Sequence, residues 1–497
     1  MSRLREIARR LAAEGLLRVP SEAESTPDVP VREVTIDSRQ AGPDVLFCAI
    51  RGTTADAHRY LGEVQRAGAA AALVEEVNGA VPLTQVQVVD GRRAAAFAAA
   101  EHFGDPWTEL TLVGVTGTNG KTTSVSILRH LLSARGPAAS IGTLGVVGPE
   151  GGVLPGTEGL TTPGPVDVAR WLRRLRETPV DAVAMEVSSH ALHQARAAAV
   201  RFDAALFTNL SRDHLDYHGT LEEYRAAKLL LASLVKPGGA VVVNADDPAW
   251  ADVRAPSGVR TVRFGLQAGE AEVRAASVRV GARGMEFLLT LPDGQAEVVL
   301  PLYGAYNVAN AVGCAAVLWS LGWTADEIAG GLRTLPQVPG RLERVPLPEG
   351  FPTVLIDFAH TPDALERALG AVRPLVRGRL VVVFGAGGDR DRGKRPEMGG
   401  VAVRMADRVI VTSDNPRTED PERIADDIEA GMEGAAHERI IDRREAIRYA
   451  LQTSGEDDIV LLAGKGHETY QIRGTEKLPF DEREVIREIL NEIGDRR

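Results

Sequence analysis

Apolar residues along this chain gather into short runs that end abruptly in polar clusters, with helical periodicity between the runs. Leu110, Leu112, Val113 and Val115 precede Thr116-Gly117-Thr118-Asn119-Gly120-Lys121-Thr122-Thr123, and Val125, Ile127, Leu128, Leu131 and Leu132 follow at helical spacing. That order predicts a strand, a glycine-rich turn and a helix N-terminus. The transition recurs. Val183-Ala184-Met185 runs into Glu186-Val187-Ser188-Ser189-His190, and Ala205-Leu206-Phe207 into Thr208-Asn209-Leu210-Ser211-Arg212-Asp213-His214. Val354-Leu355-Ile356 meets Asp357-Phe358-Ala359-His360, and Val381-Val382-Val383-Phe384 meets Gly385-Ala386-Gly387-Gly388-Asp389-Arg390. Val409-Ile410-Val411 meets Thr412-Ser413-Asp414-Asn415-Pro416-Arg417, and Ile459-Val460-Leu461-Leu462 meets Ala463-Gly464-Lys465-Gly466-His467-Glu468. Short strands alternating with helices predict an α/β fold with mainly parallel sheets. In such sheets ligands bind beyond the carboxyl ends of the strands, where these polar clusters fall.

The turn at Gly117, Thr118, Asn119, Gly120, Lys121, Thr122 and Thr123 has the chemistry of a nucleotide triphosphate cradle. Glycines let backbone N–H groups converge, and the helix start adds unpaired donors and partial positive charge. Lys121 suits the outer phosphates and the Thr122 hydroxyl suits Mg²⁺. The spacing departs from the common phosphate loop by one residue, and Val115 stands where its first glycine would be. A chance Gly-Lys-Thr turn is the alternative.

Length and charge narrow the class. At roughly 150 residues per domain, 497 residues make about three domains. Breaks are expected at Gly104-Asp105-Pro106 and at the proline-rich Leu335-Pro336-Gln337-Val338-Pro339-Gly340. A net charge of −11 without a long Lys/Arg block argues against a nucleic-acid grip. The densest basic stretch, Arg390, Arg392, Lys394 and Arg395, is interleaved with Asp and Gly and reads as a local anion site. Two cysteines, Cys48 and Cys314, exclude a disulfide framework and a zinc cluster. Met1-Ser2-Arg3-Leu4-Arg5-Glu6 lacks the apolar core of a signal peptide, and no run approaches the ~18 apolar residues of a membrane span. A cytoplasmic protein is expected, with the alanine-rich residues 94–100 forming a packed helix.

Several motifs occur in one order: Thr116 to Thr123, Glu186-Val187-Ser188-Ser189-His190, Thr208 to His218, Tyr224 to Lys228, Asn244-Ala245-Asp246-Asp247-Pro248, Tyr306-Asn307-Val308-Ala309-Asn310 and Asp357 to Leu365. Together they resemble the Mur ligases of peptidoglycan synthesis over nearly the whole chain. The resemblance implies a three-domain Mur ligase architecture: a UDP-MurNAc-peptide-binding domain at 1–104, a central P-loop ATP-binding domain at 105–338 and a C-terminal Rossmann-like amino-acid-binding domain at 339–497. It implies ligation of meso-2,6-diaminopimelate to the D-glutamate of UDP-N-acetylmuramoyl-L-alanyl-D-glutamate (UDP-MurNAc-L-Ala-D-Glu), with ATP consumed and Mg²⁺ required, by a monomer. L-lysine or L-ornithine as the third residue, or a folylpolyglutamate-synthetase-like activity, are the alternatives. A carboxylate carbon is a poor electrophile, so the ATP γ-phosphoryl group must first convert it to an acyl phosphate. Metal ions and cationic side chains must neutralise the two anions this brings together.

By that resemblance Glu186 and His214 ligate metal beside Thr122, and Lys228 carries a carbamate whose oxygens also bind metal. A helix cap, a structural histidine and a snorkelling surface lysine are the alternatives on the residues alone. Asn307 matches the adenine contact, or else caps its helix. Arg341 and Asp357 match positions near ribose and phosphates. His360 either orients the amine or phosphates or is a turn histidine, and Phe358 stands where relatives often carry Tyr. For the nucleotide-sugar peptide, Ser38 in Asp37-Ser38-Arg39 is the contact position, unless this is a plain Asx turn. Thr161, Thr162, Ser188, Gln194 and Arg196 match positions holding the muramoyl and peptide portions. Thr53 and Thr54 depart from the usual pattern on the uridine side.

Asp414-Asn415-Pro416-Arg417, with Gly464 and Glu468, matches the motif of ligases that add diaminopimelate. That substrate differs from lysine by a second amino-acid head. An arginine fork pairs with its extra carboxylate, and lysine would leave the fork unmatched. Arg417 and Asn415 suit the carboxylate, Asp414 and Glu468 the ammonium, and Arg390 the α-carboxylate. A simple Asn-Pro turn and a solvent-facing Glu468 are the alternatives.

Overall fold

A computed structural model of the chain describes residues 2–52, 55–157, 159–267, 269–281 and 283–494. Thr53 and Thr54 lie outside the described residues. The chain divides into two compact units, Met1–Val273 with Gly313–Trp323, and Arg274–Val312 with Thr324–Arg497.

The first unit opens with a parallel sheet of β1 (Glu33–Thr35), β2 (Val45–Cys48), β3 (Ala71–Val74) and β4 (Gln85–Gln87), adjacent in that order. Helix α1 (Gly91–Phe103) follows, started by Asp90, whose carboxylate accepts from the N–H groups of Arg92 and Arg93 at 3.0 Å. Left-handed Gly104 (φ 69°) ends it. Its alanines 94–96 and 98–100 are buried, as expected for a helix whose small side chains let it pack closely.

A second parallel sheet carries the glycine-rich turn. Its strands are β5 (Thr111–Thr116), β6 (Ala138–Gly142), β7 (Gly145–Val147), β8 (Ala182–Glu186), β9 (Phe202–Phe207), β10 (Val235–Asn244) and β11 (Arg260–Gly265). They run in the order β11-β10-β9-β5-β8-β6-β7, with only β7 antiparallel to its neighbour in this stretch. β5 therefore lies centrally, with Glu186 of β8 in register with Val115 and Phe207 of β9 in register with Thr116. Helix α2 (Lys121–Leu132) leaves the turn after β5, and α3 (Pro165–Glu177) begins on a proline that suits the first helical turn. Arg173 of α3 donates to the carbonyls of Phe103 and Gly104 at 2.7 and 3.0 Å, satisfying the last carbonyl groups of α1. One hydrophobic cluster runs without a break from Leu4 and Leu11 through Phe97 and Leu172 to Phe202 and Trp250. Helix α4 (Leu221–Leu229) starts at a capping box of Thr220 and Glu223.

The second unit begins with an antiparallel meander, β12 (Val273–Gly281), β13 (Gly284–Leu291) and β14 (Gly294–Leu300). Helix α5 (Ala305–Ser320) follows, its part from Gly313 onward belonging to the first unit. Next comes a sheet of β15 (Glu343–Val345), β16 (Thr353–Asp357), β17 (Leu380–Phe384), β18 (Arg408–Val411), β19 (Glu438–Arg439) and β20 (Ile459–Ala463), in the order β15-β16-β20-β17-β18-β19. All but the edge strand β15 run parallel. Alternate residues feed two cores. Leu355, Val382, Val409 and Leu461 pack with α6 (Pro362–Val372), α7 (Lys394–Met405) and α8 (Pro421–Glu429), while Val354, Val381, Ile410 and Val460 pack with α9 (Arg443–Thr453) and α10 (Glu482–Gly494). Helices on both faces of a parallel sheet are what near-continuous valine and isoleucine runs require. A hairpin of β21 (Tyr470–Arg473) and β22 (Glu476–Pro479) closes the unit's architecture.

Both cysteines are buried. Among the described residues no helix is long and apolar enough to cross a membrane.

Candidate active site

The turn after β5 is held from the side by the end of β9. Gly117 has φ 148°, and a Cβ there would collide with the Thr208 hydroxyl, so the backbone approaches β9 as only glycine can. Asn209 receives the Asn119 N–H at 3.0 Å and returns a bond to the Asn119 carbonyl at 3.1 Å. Thr208 donates to that carbonyl at 2.7 Å, and the Thr118 N–H reaches the Asn209 carbonyl at 2.7 Å. The extra residue relative to the common phosphate loop is thus accommodated by pairing with the next strand end. Gly120 (φ 86°) caps α2, and Lys121 Nζ donates to the carbonyls of Gly117 and Thr118 at 2.9 and 2.8 Å. Thr122 and Thr123 are buried in the first turn of α2.

Lys228 comes to the same turn from α4. Its side chain is 1% exposed, so it is no snorkelling lysine. Nζ donates to the Gly117 carbonyl at 2.8 Å and stands 4.3 Å from the centroid of the Tyr224 ring. Burial, reinforced by the neighbouring Lys121 cation, holds its ammonium well below the usual lysine range. Glu186 is equally buried, and its carboxylate accepts from the N–H and hydroxyl of Thr143 at 2.9 and 3.1 Å. It caps no helix, since the short helix Ser189–His193 is capped by Ser188. His214 adopts the left-handed region (φ 53°). Desolvation of its ring lowers its pKa, with Lys121 and Lys228 adding to the effect against Asp213. The turn, Lys228 and His214 are therefore brought together, with Glu186 at the adjacent strand end.

On the nucleotide-sugar side, Thr162 donates to the Glu186 carbonyl at 2.9 Å and accepts from the Ser188 N–H at 3.0 Å. Arg196 donates to the Thr162 carbonyl at 2.9 Å and to Gln194 Oε1 at 2.7 Å. The Thr161 and Thr143 hydroxyls lie 3.2 Å apart, so these residues form one hydrogen-bonded chain leading to Glu186. Ser38 is partly exposed in a short turn where Asp37 accepts from the Arg39 N–H at 3.0 Å. The Asx turn is therefore present, and its capping bond is made by Asp37 rather than by Ser38.

In the second unit, Asn307 is 1% exposed and donates to the Tyr303 carbonyl at 2.8 Å. Asp357, at the end of β16, accepts from the N–H groups of Leu342 and Ala359 at 2.8 and 2.9 Å. Burial nevertheless pushes its pKa up to about 6, against Arg341 and those two donors. The Arg341 guanidinium lies 4.9 Å from the Phe358 ring centroid, and the same ring meets His360 at 4.7 Å and His467 at 5.1 Å. His360 Nδ1 is 2.8 Å from the Phe358 carbonyl, and its own carbonyl accepts from Lys394 at 2.8 Å.

The ends of β18 and β20 converge. Asp414 and Asn415 are each 5% exposed, and Asn415 donates to Glu468 Oε2 at 2.8 Å. Glu468 is therefore engaged rather than simply solvated. Gly464 (φ 113°) passes so close to the Asp414 carboxylate that a Cβ would collide with Oδ2. Pro416 is buried, and Arg417 takes the left-handed region (φ 52°), which turns its guanidinium to the Gly388 carbonyl at 2.7 Å. Among the described residues no carboxylate forms an ion pair with Arg417 or Arg390, and the Asp414 carboxylate makes no hydrogen bond. Burial lowers the Arg417 pKa, and the nearby Arg390 cation lowers it further.

These sites sit in a sequence with close relatives. Residues 115–318 match the Mur ligase middle domain and residues 340–466 the Mur ligase, glutamate ligase domain. A UDP-N-acetylmuramoyl-L-alanyl-D-glutamate--2,6-diaminopimelate ligase of Geobacillus kaustophilus is 44% identical over 94% of this chain and 96% of its own. The chain belongs to the Mur ligase family. The like-named protein of Gloeobacter violaceus is 42% identical over 96% of this chain and 97% of its own. A solved structure with that title superposes with a TM-score of 0.67 at 32% identity, covering 94% of this chain and 96% of that one.

Residue patterns alone did not single out several groups at these sites of the Mur ligase. Thr143 fixes the Glu186 carboxylate. Tyr224, read from the sequence only as the start of the Tyr224 to Lys228 motif, places its hydroxyl 3.2 Å from the Thr118 hydroxyl and its ring against Lys228. Lys465 is fully buried beside Glu468. Arg443 and Glu482, both fully buried, form an ion pair in which Arg443 also donates to the Ala463 carbonyl at 2.9 Å. The only advance signal for Lys465 was its place between two glycines at a strand end.

Proposed function

We propose that this protein is an ATP-dependent ligase that joins meso-2,6-diaminopimelate to the D-glutamate of UDP-N-acetylmuramoyl-L-alanyl-D-glutamate. The full-length relatives of that name support the reading. The observation that carries the choice of amino acid is the half-buried Arg417 guanidinium, set near Arg390 with no carboxylate ion-paired to either among the described residues. The Arg417 cation beside the buried Asp414 carboxylate suits an end group bearing both a carboxylate and an ammonium, while Arg390 suits the α-carboxylate that all three amino acids share. Lysine and ornithine carry only the ammonium there, and would leave a desolvated arginine without its partner.

The chemistry proceeds in two displacements. The substrate carboxylate attacks the γ-phosphorus of ATP, giving an acyl phosphate and ADP. The amine of diaminopimelate then attacks the acyl carbon, and the tetrahedral adduct expels phosphate and loses a proton to leave the amide. The phosphate turn binds and orients ATP through Gly117 to Thr123, with Lys121 on the outer phosphates. Asn307, Arg341 and Asp357 are assigned to the nucleoside and phosphates, and His360 to the amine or phosphates. Ser38, Thr161, Thr162, Ser188, Gln194 and Arg196 hold the nucleotide-sugar peptide. Arg390, Asp414, Asn415, Pro416, Arg417, Gly464 and Glu468 form the amino-acid pocket.

Thr122, Glu186, His214 and a carbamylated Lys228 would hold Mg²⁺, which neutralises the phosphate oxygens when bound. The Thr122 hydroxyl and the Glu186 carboxylate suit a hard cation, and Lys228 could join them only by gaining oxygen atoms. Its environment favours that: burial holds the amine well below the usual lysine range, which eases loss of the proton that must leave before CO₂ can add. We assign the three functional segments to 1–104, 105–338 and 339–497.

The direct test is phosphate release by the purified protein with ATP and Mg²⁺, omitting each substrate in turn. Release is expected only when the UDP-dipeptide and an amino acid are both present, and turnover indifferent to the UDP-dipeptide would overturn the proposal. Supplying diaminopimelate, lysine and ornithine in competition should yield the diaminopimelate product.

A further inference from the structure

Lys465 follows β20 in a turn whose flanking glycines both take positive φ, 113° at Gly464 and 56° at Gly466. This backbone folds its side chain inward until it is 0% exposed. Nζ donates to Glu468 Oε2 at 3.0 Å and to Asn415 Oδ1 at 3.3 Å. Asn415 Nδ2 donates to the same Glu468 oxygen at 2.8 Å, which closes a triangle. The Ile472 N–H adds a second donor to Asn415 Oδ1 at 2.9 Å.

Two donors facing Oδ1 leave one orientation for the Asn415 amide, with its NH₂ turned away from them. Any ligand that meets the Asn415 amide nitrogen therefore meets a donor, which suits a carboxylate and not an ammonium. Both protein bonds to Glu468 fall on Oε2, so Oε1 is the oxygen left for a ligand ammonium. The buried cation also shares the Glu468 charge, so a lone ammonium gains less there than it would from a free carboxylate.

We infer that Lys465 is a specificity-determining positioning residue, which sets Asn415 and Glu468 to favour an amino-acid end carrying both carboxylate and ammonium over one carrying ammonium alone. This rests on the reading of Asp414 to Arg417 as the amino-acid pocket. Lys465 acts through its two partners and needs no contact with the substrate. Specificity of this kind weakens the wrong partner as much as it strengthens the right one.

The experiment compares Lys465→Met and Lys465→Gln with Arg417→Ala in the full-length protein, using diaminopimelate and lysine as substrates. Lys465→Met should raise the diaminopimelate KM roughly tenfold to a hundredfold, the loss of a hydrogen bond to a charged group. The KM for ATP should stay within about twofold, and the diaminopimelate-to-lysine ratio of kcat/KM should fall. Lys465→Gln keeps a donor without the charge, so it should recover part of the KM but not the ratio. In a double-mutant cycle, Lys465→Met and Glu468→Gln should be strongly non-additive for the diaminopimelate KM. If Arg417→Ala leaves that KM unchanged, the pocket reading itself falls. If Arg417→Ala raises it while both Lys465 variants preserve KM and ratio, this inference alone is overturned. Should the methionine variant not fold, an unchanged ratio in the glutamine variant overturns it equally.

Discussion

Lys228 and Gly117 meet through a 2.8 Å hydrogen bond from a fully buried amine to a main-chain carbonyl of the phosphate turn. A charged ammonium in that place, with Lys121 adding its own charge, is electrostatically expensive. Burial and the Lys121 charge ease loss of its proton, and the neutral amine is the form that adds CO₂. Lys228→Ala is therefore expected to abolish ligation, with formate or acetate restoring part of the rate. Full activity in the variant would refute the role. Wild-type protein equilibrated with ¹³C-labelled CO₂ should show a carbamate carbon resonance that Lys228→Ala lacks.

Arg417→Ala should act on the amino acid and spare the nucleotide. Losing a charge-assisted bond of about 1.5–3 kcal/mol predicts a diaminopimelate KM raised roughly tenfold to a hundredfold, with the ATP KM nearly unchanged. Steady-state kinetics with each substrate varied in turn checks this, and an unaltered KM for diaminopimelate removes Arg417 from the pocket.

Gly142→Ala probes Glu186 without touching it. A Cβ at Gly142 would overlap the Glu186 carboxylate, coming within 2.7 Å of Cγ and 2.8 Å of Cδ. The obstacle is a side chain, so the fold should survive while the carboxylate shifts. A displacement of about 1 Å near reacting groups costs on the order of a hundredfold in rate. We expect kcat to fall by about that factor with little change in melting temperature; a large loss of stability with normal kcat would contradict the placement of Glu186.

Asp357 gives a pH signature. Its pKa in the folded protein is pushed up to about 6 by burial, against about 3.9 unfolded. A carboxyl whose folded pKa is raised favours the folded state fully below the unfolded value. That contribution is lost as pH rises through about 6. The shift corresponds to about 3 kcal/mol as an order of magnitude. The stability of the wild type relative to Asp357→Asn should therefore decline between pH 4 and pH 7, by an amount of this order. Denaturant unfolding at the two pH values measures it, and a relative stability that rises over the window would show the carboxylate to be favoured instead.

Much of this was legible in the sequence because each functional strand announces itself twice, by an apolar run and by the polar cluster that ends it. Met185 to Glu186 and Val411 to Asp414 are readable on those terms. The meander from Val273 to Leu300 was not read, since beyond buried Val273 and Ala275 its first strand mixes arginine and serine with exposed Val278 and Val280. Lys228 was misleading locally. Its leucine neighbours suggest a helix lysine reaching for solvent, whereas its burial comes from the Gly117 carbonyl, distant in sequence, and from the Tyr224 ring. Lys465 was hidden for a related reason: only the positive φ of two glycines turns it inward. Side-chain identity marks where chemistry is available, but burial of a charge is decided by long-range contacts that no local pattern contains.

The unbroken apolar cluster from Leu11 through Phe97 and Leu172 to Trp250 means that the sheet bearing Ser38 and the sheet bearing the phosphate turn share one interior. We expect the two to unfold in a single cooperative transition. On the role proposed for Ser38, a ligand held there should stabilise the turn at Gly117 to Thr123 through thermodynamic linkage, without any direct contact between the two ligands.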